Sequence, residues 1–247
     1  MATKWYLWAI RFALLAAILL VSLYSLFPHG VGERQVLAKT PVQAELLIID
    51  AGHGGEDGGA VSLSGVAESG INLSIALKLD QILGLYGTAP ILLRSDDRSL
   101  HDPEAQTLRE KKVSDLHNRV DFIEAHPGAT LISIHQNTFQ SAKYHGAQVF
   151  YSPTPDSQPL AALTQELLRQ TLDPSNDRVP ARIPESVYLM NHISCRAILV
   201  ECGFLSNPEE DQLLQSEEYQ RKIAAALAAA WLRRGEAESN QGGELQG

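Results

Sequence analysis

Residues 46–59 read LLIIDAGHGGEDGG. Four apolar side chains followed by Asp50 describe a short buried strand, and glycines at 52, 54, 55, 58 and 59 let the backbone turn tightly immediately after it. Apolar strand runs of the same kind recur at 90–94, 130–134 (TLISI), 147–151 (AQVFY) and 197–202 (AILVEC). Between and after them, helical patterns are predicted at 71–86, 107–125, 158–171, 208–214 and 217–234. In the second of these, Val113, Leu116, Val120 and Ile123 recur at helical spacing, and Pro127-Gly128 ends the helix before the next strand. Strands alternating with helices predict an α/β fold.

The composition bounds what such a fold does. The chain has 247 residues, 20 basic and 29 acidic side chains and a formal charge of −9, with 45% hydrophobic and 20% charged residues. This is globular composition, long enough for one sizeable domain with appendages. Residues 1–44 carry a net +3, which leaves −12 for the rest. An acidic body without clustered Lys and Arg excludes DNA and RNA as partners. Cys195 and Cys202 are too few for a disulfide framework, and no disulfide is expected between them.

Residues 5–27, WYLWAIRFALLAAILLVSLYSLF, form an apolar run of membrane-spanning length. Pro28, His29 and Gly30 follow it in place of a small-x-small cleavage site, so an uncleaved anchor is expected rather than a cleaved signal peptide. Residues 28–44 read as a linker, the folded body begins near Glu45 and extends to 234, and residues 235–247 (GEAESNQGGELQG) read as a disordered acidic tail.

Four polar residues stand where buried strands give way to loops or a helix begins, which is where sites collect in open α/β sheets. They are His53 after the first strand, Glu68 just before the helix near 71, His135 in LISIHQN and Glu201 in AILVECGFLSN. Two imidazoles and a carboxylate are a usual ligand set for catalytic zinc, and a further carboxylate serves as general base and acid. Each residue alone has a plainer reading. A histidine at a strand end is most often a hydrogen-bonded structural group, and an acid at a helix start is favoured by the dipole. Glu201 resists that treatment, because a carboxylate after Ala-Ile-Leu-Val is costly to bury unless paired, protonated or linked to a metal. The glycine-rich turn lacks both GxGxxG and a Walker lysine, which excludes a phosphate cradle. His29, His101, His117 and His126 read as surface residues, while His145 and His192 lie in segments that reach towards the site. Cys202 alternates to the strand face opposite Glu201 and reads as a core residue.

Together IIDAGHGGEDGGA, GVAESGINLSIALKL, RSDD at 94–97, SIHQN, GAQVFY and LVECGFLSNPEE resemble the zinc-dependent N-acetylmuramoyl-L-alanine amidases of bacterial cell-wall remodelling, over about residues 46–233. The resemblance implies a single α/β domain with a central, mostly parallel sheet flanked by helices. It implies zinc bound by His53, Glu68 and His135, Glu201 as catalytic acid/base, and peptidoglycan as substrate. Gln136, Asn191 and Cys202 depart from common family wording without removing a ligand. A compact chain with an N-terminal hydrophobic segment and no wall-binding repeat resembles the germination-specific spore-cortex branch, which makes muramic-δ-lactam with a partner deacetylase. That places the expected site of action outside the cytoplasm, at the cell envelope or in the forespore intermembrane space, with an activating partner protein as a further expectation. A zinc peptidase trimming stem peptides and a non-catalytic wall-binding protein are the alternatives.

Overall fold

The computed structural model describes residues 45–244. The expected membrane segment at 5–27 and linker at 28–44 lie outside them, and among the described residues no helix is long and apolar enough to cross a membrane. Six strands form one sheet: β1 (Leu47–Ala51), β2 (Ile91–Leu92), β3 (Thr130–Asn137), β4 (Gln148–Tyr151), β5 (Ala181–Arg182) and β6 (Arg196–Phe204). Their spatial order is β2-β1-β3-β6-β4-β5. All neighbours run parallel except β4 against β6. The helices are α1 (Glu68–Leu85), α2 (Leu108–Glu124), α3 (Ser157–Leu172), α4 (Tyr188–Asn191), α5 (Pro208–Leu214) and α6 (Glu217–Glu244).

The apolar runs are strands because both faces of the sheet are covered, so alternation with polar residues is lost. On one face Leu47, Ile49, Ile132, Ile134, Ile198 and Val200 pack with α1, α3 and α6. On the other Ile48, Leu131, Ala197 and Leu199 pack with Ile123 of α2 and with Leu189 and Met190 of α4. Each fully buried Ile or Leu contributes on the order of 1.5–3 kcal/mol relative to exposure. Cys195 and Cys202 are free and buried, Cys202 on the α1 face with Val200, opposite Glu201 as alternation requires.

The chain order creates a crevice. From β1 the chain passes through α1 to β2 on one side, then through α2 to β3 on the other, so the strand order reverses between β1 and β3. The carboxyl ends of strands at such a switch point are where α/β sheets bind ligands.

Several elements differ from the sequence expectation. Helix α1 begins at Glu68 rather than 71, because the carbonyls of Ala60 and Gly58 accept from the N–H groups of Glu68 and Ser69 and replace a side-chain cap. The two-residue β5 and four-residue α4 were not foreseen; neither is long enough to show a period. Helix α6 runs on to Glu244, into the stretch expected to be a disordered tail. Once a helix is nucleated, each residue such as Glu236 or Ala237 adds a bond at little cost.

Candidate metal centre

His53 leaves β1 at the first bend of the glycine turn, Glu68 opens α1, and His135 and Glu201 are register partners on β3 and β6. The structure brings one ligand atom from each of His53, Glu68 and His135 within 4.8 Å of one another. His135 Nδ1 donates to Glu68 Oε1 at 3.0 Å, and His53 Nε2 lies 3.4 Å from Glu68 Oε2. The two imidazole rings meet edge to face with centroids 5.0 Å apart.

Small residues make this approach possible. A Cβ at Gly52 would lie 2.2 Å from the His135 ring, and one at Gly59, where φ is +70°, would lie 2.6 Å from both Glu68 Oε2 and His53 Cδ2. Glu68 is 3% exposed and fully engaged. Its oxygens accept from the amides of Ala60 (2.9 Å) and Gln136 (3.0 Å) and from Asn72 Nδ2 (3.1 Å). Burial alone would raise the Glu68 carboxyl, but His135, His53 and the Gln136 amide bring it down to about 2. Burial likewise disfavours charge on His135, yet Glu68 raises its pKa above the ordinary value.

Glu201 sits in the opposite state. Burial, reinforced by the negative charge of Glu68 and opposed by His135, pushes its carboxyl up to about 7. Its Oε2 is buried and, among the described residues, has no hydrogen-bond partner. Glu201, His53 and His135 face a cleft of about 340 Å³ whose far wall is formed by Lys112 and Leu116 of α2 and by residues 186–189.

Several supporting residues escaped the sequence reading. Arg94 is wholly buried and donates to four backbone carbonyls, those of Ala51, Gly52, Ser69 and Asp96, tying the glycine turn to α1 and to the 94–97 loop. Arg119 of α2 pairs with Asp50 and Asp115 and donates to His53 O at 2.9 Å. Arg94 entered the sequence reading only as part of RSDD at 94–97, and Arg119 carried no signal beyond an arginine in a helical stretch. Gln136, read as a departure from the family pattern, supports Glu68 through its amide and donates from Nε2 to Asn72 Oδ1 at 3.0 Å. Asn191 donates to Pro184 O and Val187 O and shapes the far wall of the cleft. Of the two histidines expected near the site, His192 stacks on the cleft residue Tyr188 at 3.8 Å. His145 is exposed, 3.7 Å from Asp173, and does not line the cleft.

A His-Glu-His donor set backed by buried hydrogen bonds, with a protonatable carboxylate at its edge, suits a divalent cation of zinc type. Residues 47–232 match the N-acetylmuramoyl-L-alanine amidase family. The chain is 34% identical over 194 residues to the germination-specific N-acetylmuramoyl-L-alanine amidase of Bacillus subtilis (strain 168), covering 78% of this chain and 81% of that protein. It superposes on the CwlD amidase from Clostridioides difficile, solved in complex with the GerS lipoprotein, with a TM-score of 0.74 and 38% identity over 78% of this chain and 98% of that one. The N-acetylmuramoyl-L-alanine amidase from Clostridium difficile 630 gives a TM-score of 0.67 at 26% identity, over 78% of this chain and 97% of that one.

Proposed function

The chain belongs to the N-acetylmuramoyl-L-alanine amidase family and is a peptidoglycan amidase, and from that premise we propose that it cleaves the amide between the lactyl group of N-acetylmuramic acid and L-alanine in a zinc-dependent reaction. His53, Glu68 and His135 hold the ion. Bound there, zinc supplies Lewis acidity towards the scissile carbonyl and lowers the pKa of an attacking water. The observation that carries this reading is the convergence of three donor atoms within 4.8 Å beside the unpartnered, buried Oε2 of Glu201.

The protein's own part is proton handling and orientation. Glu201 accepts the proton from the attacking water at Oε2 and passes it to the leaving nitrogen of alanine. A carboxyl near neutral pKa serves both steps, because it neither holds the proton too tightly nor gives it up to solvent. The apolar wall at Leu116, Val187 and Leu189 lines the approach to these groups. Glu201→Gln is expected to retain zinc and lose turnover; full activity in that variant would sink the assignment. Mass spectrometry of digested peptidoglycan checks the bond, since free stem peptides beginning with L-alanine support this reaction and shortened stems a peptidase.

We further infer a role in the spore cortex, with muramic-δ-lactam formed together with a deacetylase, supported by the germination-specific relative. An activating partner protein is proposed because the CwlD amidase was solved in complex with a lipoprotein. Action outside the cytoplasm, with residues 5–27 as anchor, completes the proposal. Digesting cortex and vegetative peptidoglycan side by side tests the substrate preference.

A further inference from the structure

His53 has φ of +64°, in the left-handed region where a side chain other than glycine costs on the order of 1–3 kcal/mol unless its surroundings fix it. Two bonds do so. Arg119 Nη2 donates to its carbonyl at 2.9 Å, and the ring Nδ1 donates to Asp57 Oδ2 at 2.9 Å. The second bond leaves Nε2 as the ring atom that faces Glu68 Oε2.

Asp57 is itself held. Its Oδ1 accepts from Gly59 N at 3.3 Å and pairs with Lys112 Nζ of α2 at 2.9 Å. One carboxylate thus joins the glycine turn, the His53 ring and a helix on the other side of the cleft. Lys112 is half-exposed and lines that cleft.

We propose that Asp57 is a positioning residue for the metal centre, fixing the tautomer and ring orientation of His53, and that Lys112 is the brace on α2 that keeps Asp57 in place. The proposal rests on the zinc reading above. A carboxylate that receives the second ring N–H of a histidine ligand fixes which nitrogen is free and makes it a better donor. A loop ion pair that served stability alone would leave metal affinity unchanged.

The test is the zinc dissociation constant of the full chain, measured by competition with a chromophoric chelator, together with the visible spectrum of the cobalt-substituted protein. Asp57→Ala is expected to weaken zinc binding on the order of 10–100-fold and to shift the cobalt bands. Lys112→Gln is expected to weaken it by about two- to fivefold, the effect of a half-exposed pair, with Lys112→Arg restoring it. Asp57→Asn preserves side-chain volume and guards against a folding defect. Zinc affinity within twofold of the parent in Asp57→Ala, with unchanged cobalt bands, overturns the proposal. Loss of metal-free folding in both Asp57 variants overturns it too, by making the residue structural. A parent that binds no zinc, or a His135→Ala variant that binds it as tightly, fails the zinc reading instead.

Discussion

Gly52 and Glu201 show how closely individual residues are fitted here. At Gly52 a methyl group would overlap the His135 ring at 2.2 Å from backbone that Arg94 and Arg119 hold in place. Gly52→Ala is therefore expected to cut zinc affinity at least tenfold while leaving far-ultraviolet circular dichroism unchanged, which chelator titration checks. Glu201 carries a pH signature in the metal-free protein. Its folded pKa of about 7 lies above the ordinary 4.5, so its contribution to stability is fully present below pH 4.5 and is lost as pH rises through 7. His135, also raised, acts in the same direction. Glu68, lowered to about 2, acts oppositely, its contribution being present above pH 4.5 and lost towards pH 2. Chelator-treated Glu201→Gln is expected to lose stability less steeply than the parent between pH 4.5 and 7 in urea titrations. All four principal residues were legible as polar groups at strand or helix ends. Asp57, Asn72 and Lys112 were not, because a carboxylate in a turn, an amide in a helix and a surface lysine have no pattern that distinguishes them from solvated residues.

At the scale of elements, helix α2 does more than cover the sheet. Its Arg119 is 2% exposed between Asp50 and Asp115 and also reaches the carbonyl of His53. Removing one partner leaves buried charge uncompensated, so Arg119→Met is expected to cost about 3–5 kcal/mol in urea unfolding. Arg119→Lys should recover only part of this, since one ammonium cannot reproduce a planar fork of donors. Helix α2 also begins with a capping box, Thr107 accepting from Glu110 N while the Glu110 side chain accepts from Thr107 N. The period of Val113, Leu116, Val120 and Ile123 located this helix. In the structure Ile123 is buried while Val113 is 46% exposed, so the apolar stripe located the helix more reliably than it ranked its burial. Helix α4 and strand β5 had no such stripe, yet Tyr188 and Leu189 of α4 supply part of the far wall of the cleft.

Over the whole molecule, the proposed zinc site draws its three donors from the turn after β1, from β3 and from the start of α1, so on that proposal metal binding would be linked to folding. Saturating zinc at about 100 times its dissociation constant stabilises by roughly 2.7 kcal/mol. For a domain of this size that is an upward shift in Tm on the order of 5–10 °C. Differential scanning fluorimetry with zinc and with chelator checks it, and His135→Ala is expected to abolish the shift. The sequence by itself determined the α/β class, the positions of the main strands and helices, and the four polar residues at their ends, because burial on both sheet faces leaves unbroken apolar runs in which a His or Glu stands out. Tertiary structure decided the rest. Strand order put the β1 and β3 ends beside one another at the switch point, setting His53 and His135, 82 residues apart in number, at 5.0 Å between ring centroids. It also chose which of two carboxylates stays charged. Glu68 meets two imidazoles and backbone amides while Glu201 is buried with no hydrogen-bond partner for its Oε2 among the described residues, and a charge is kept or lost according to what solvates it.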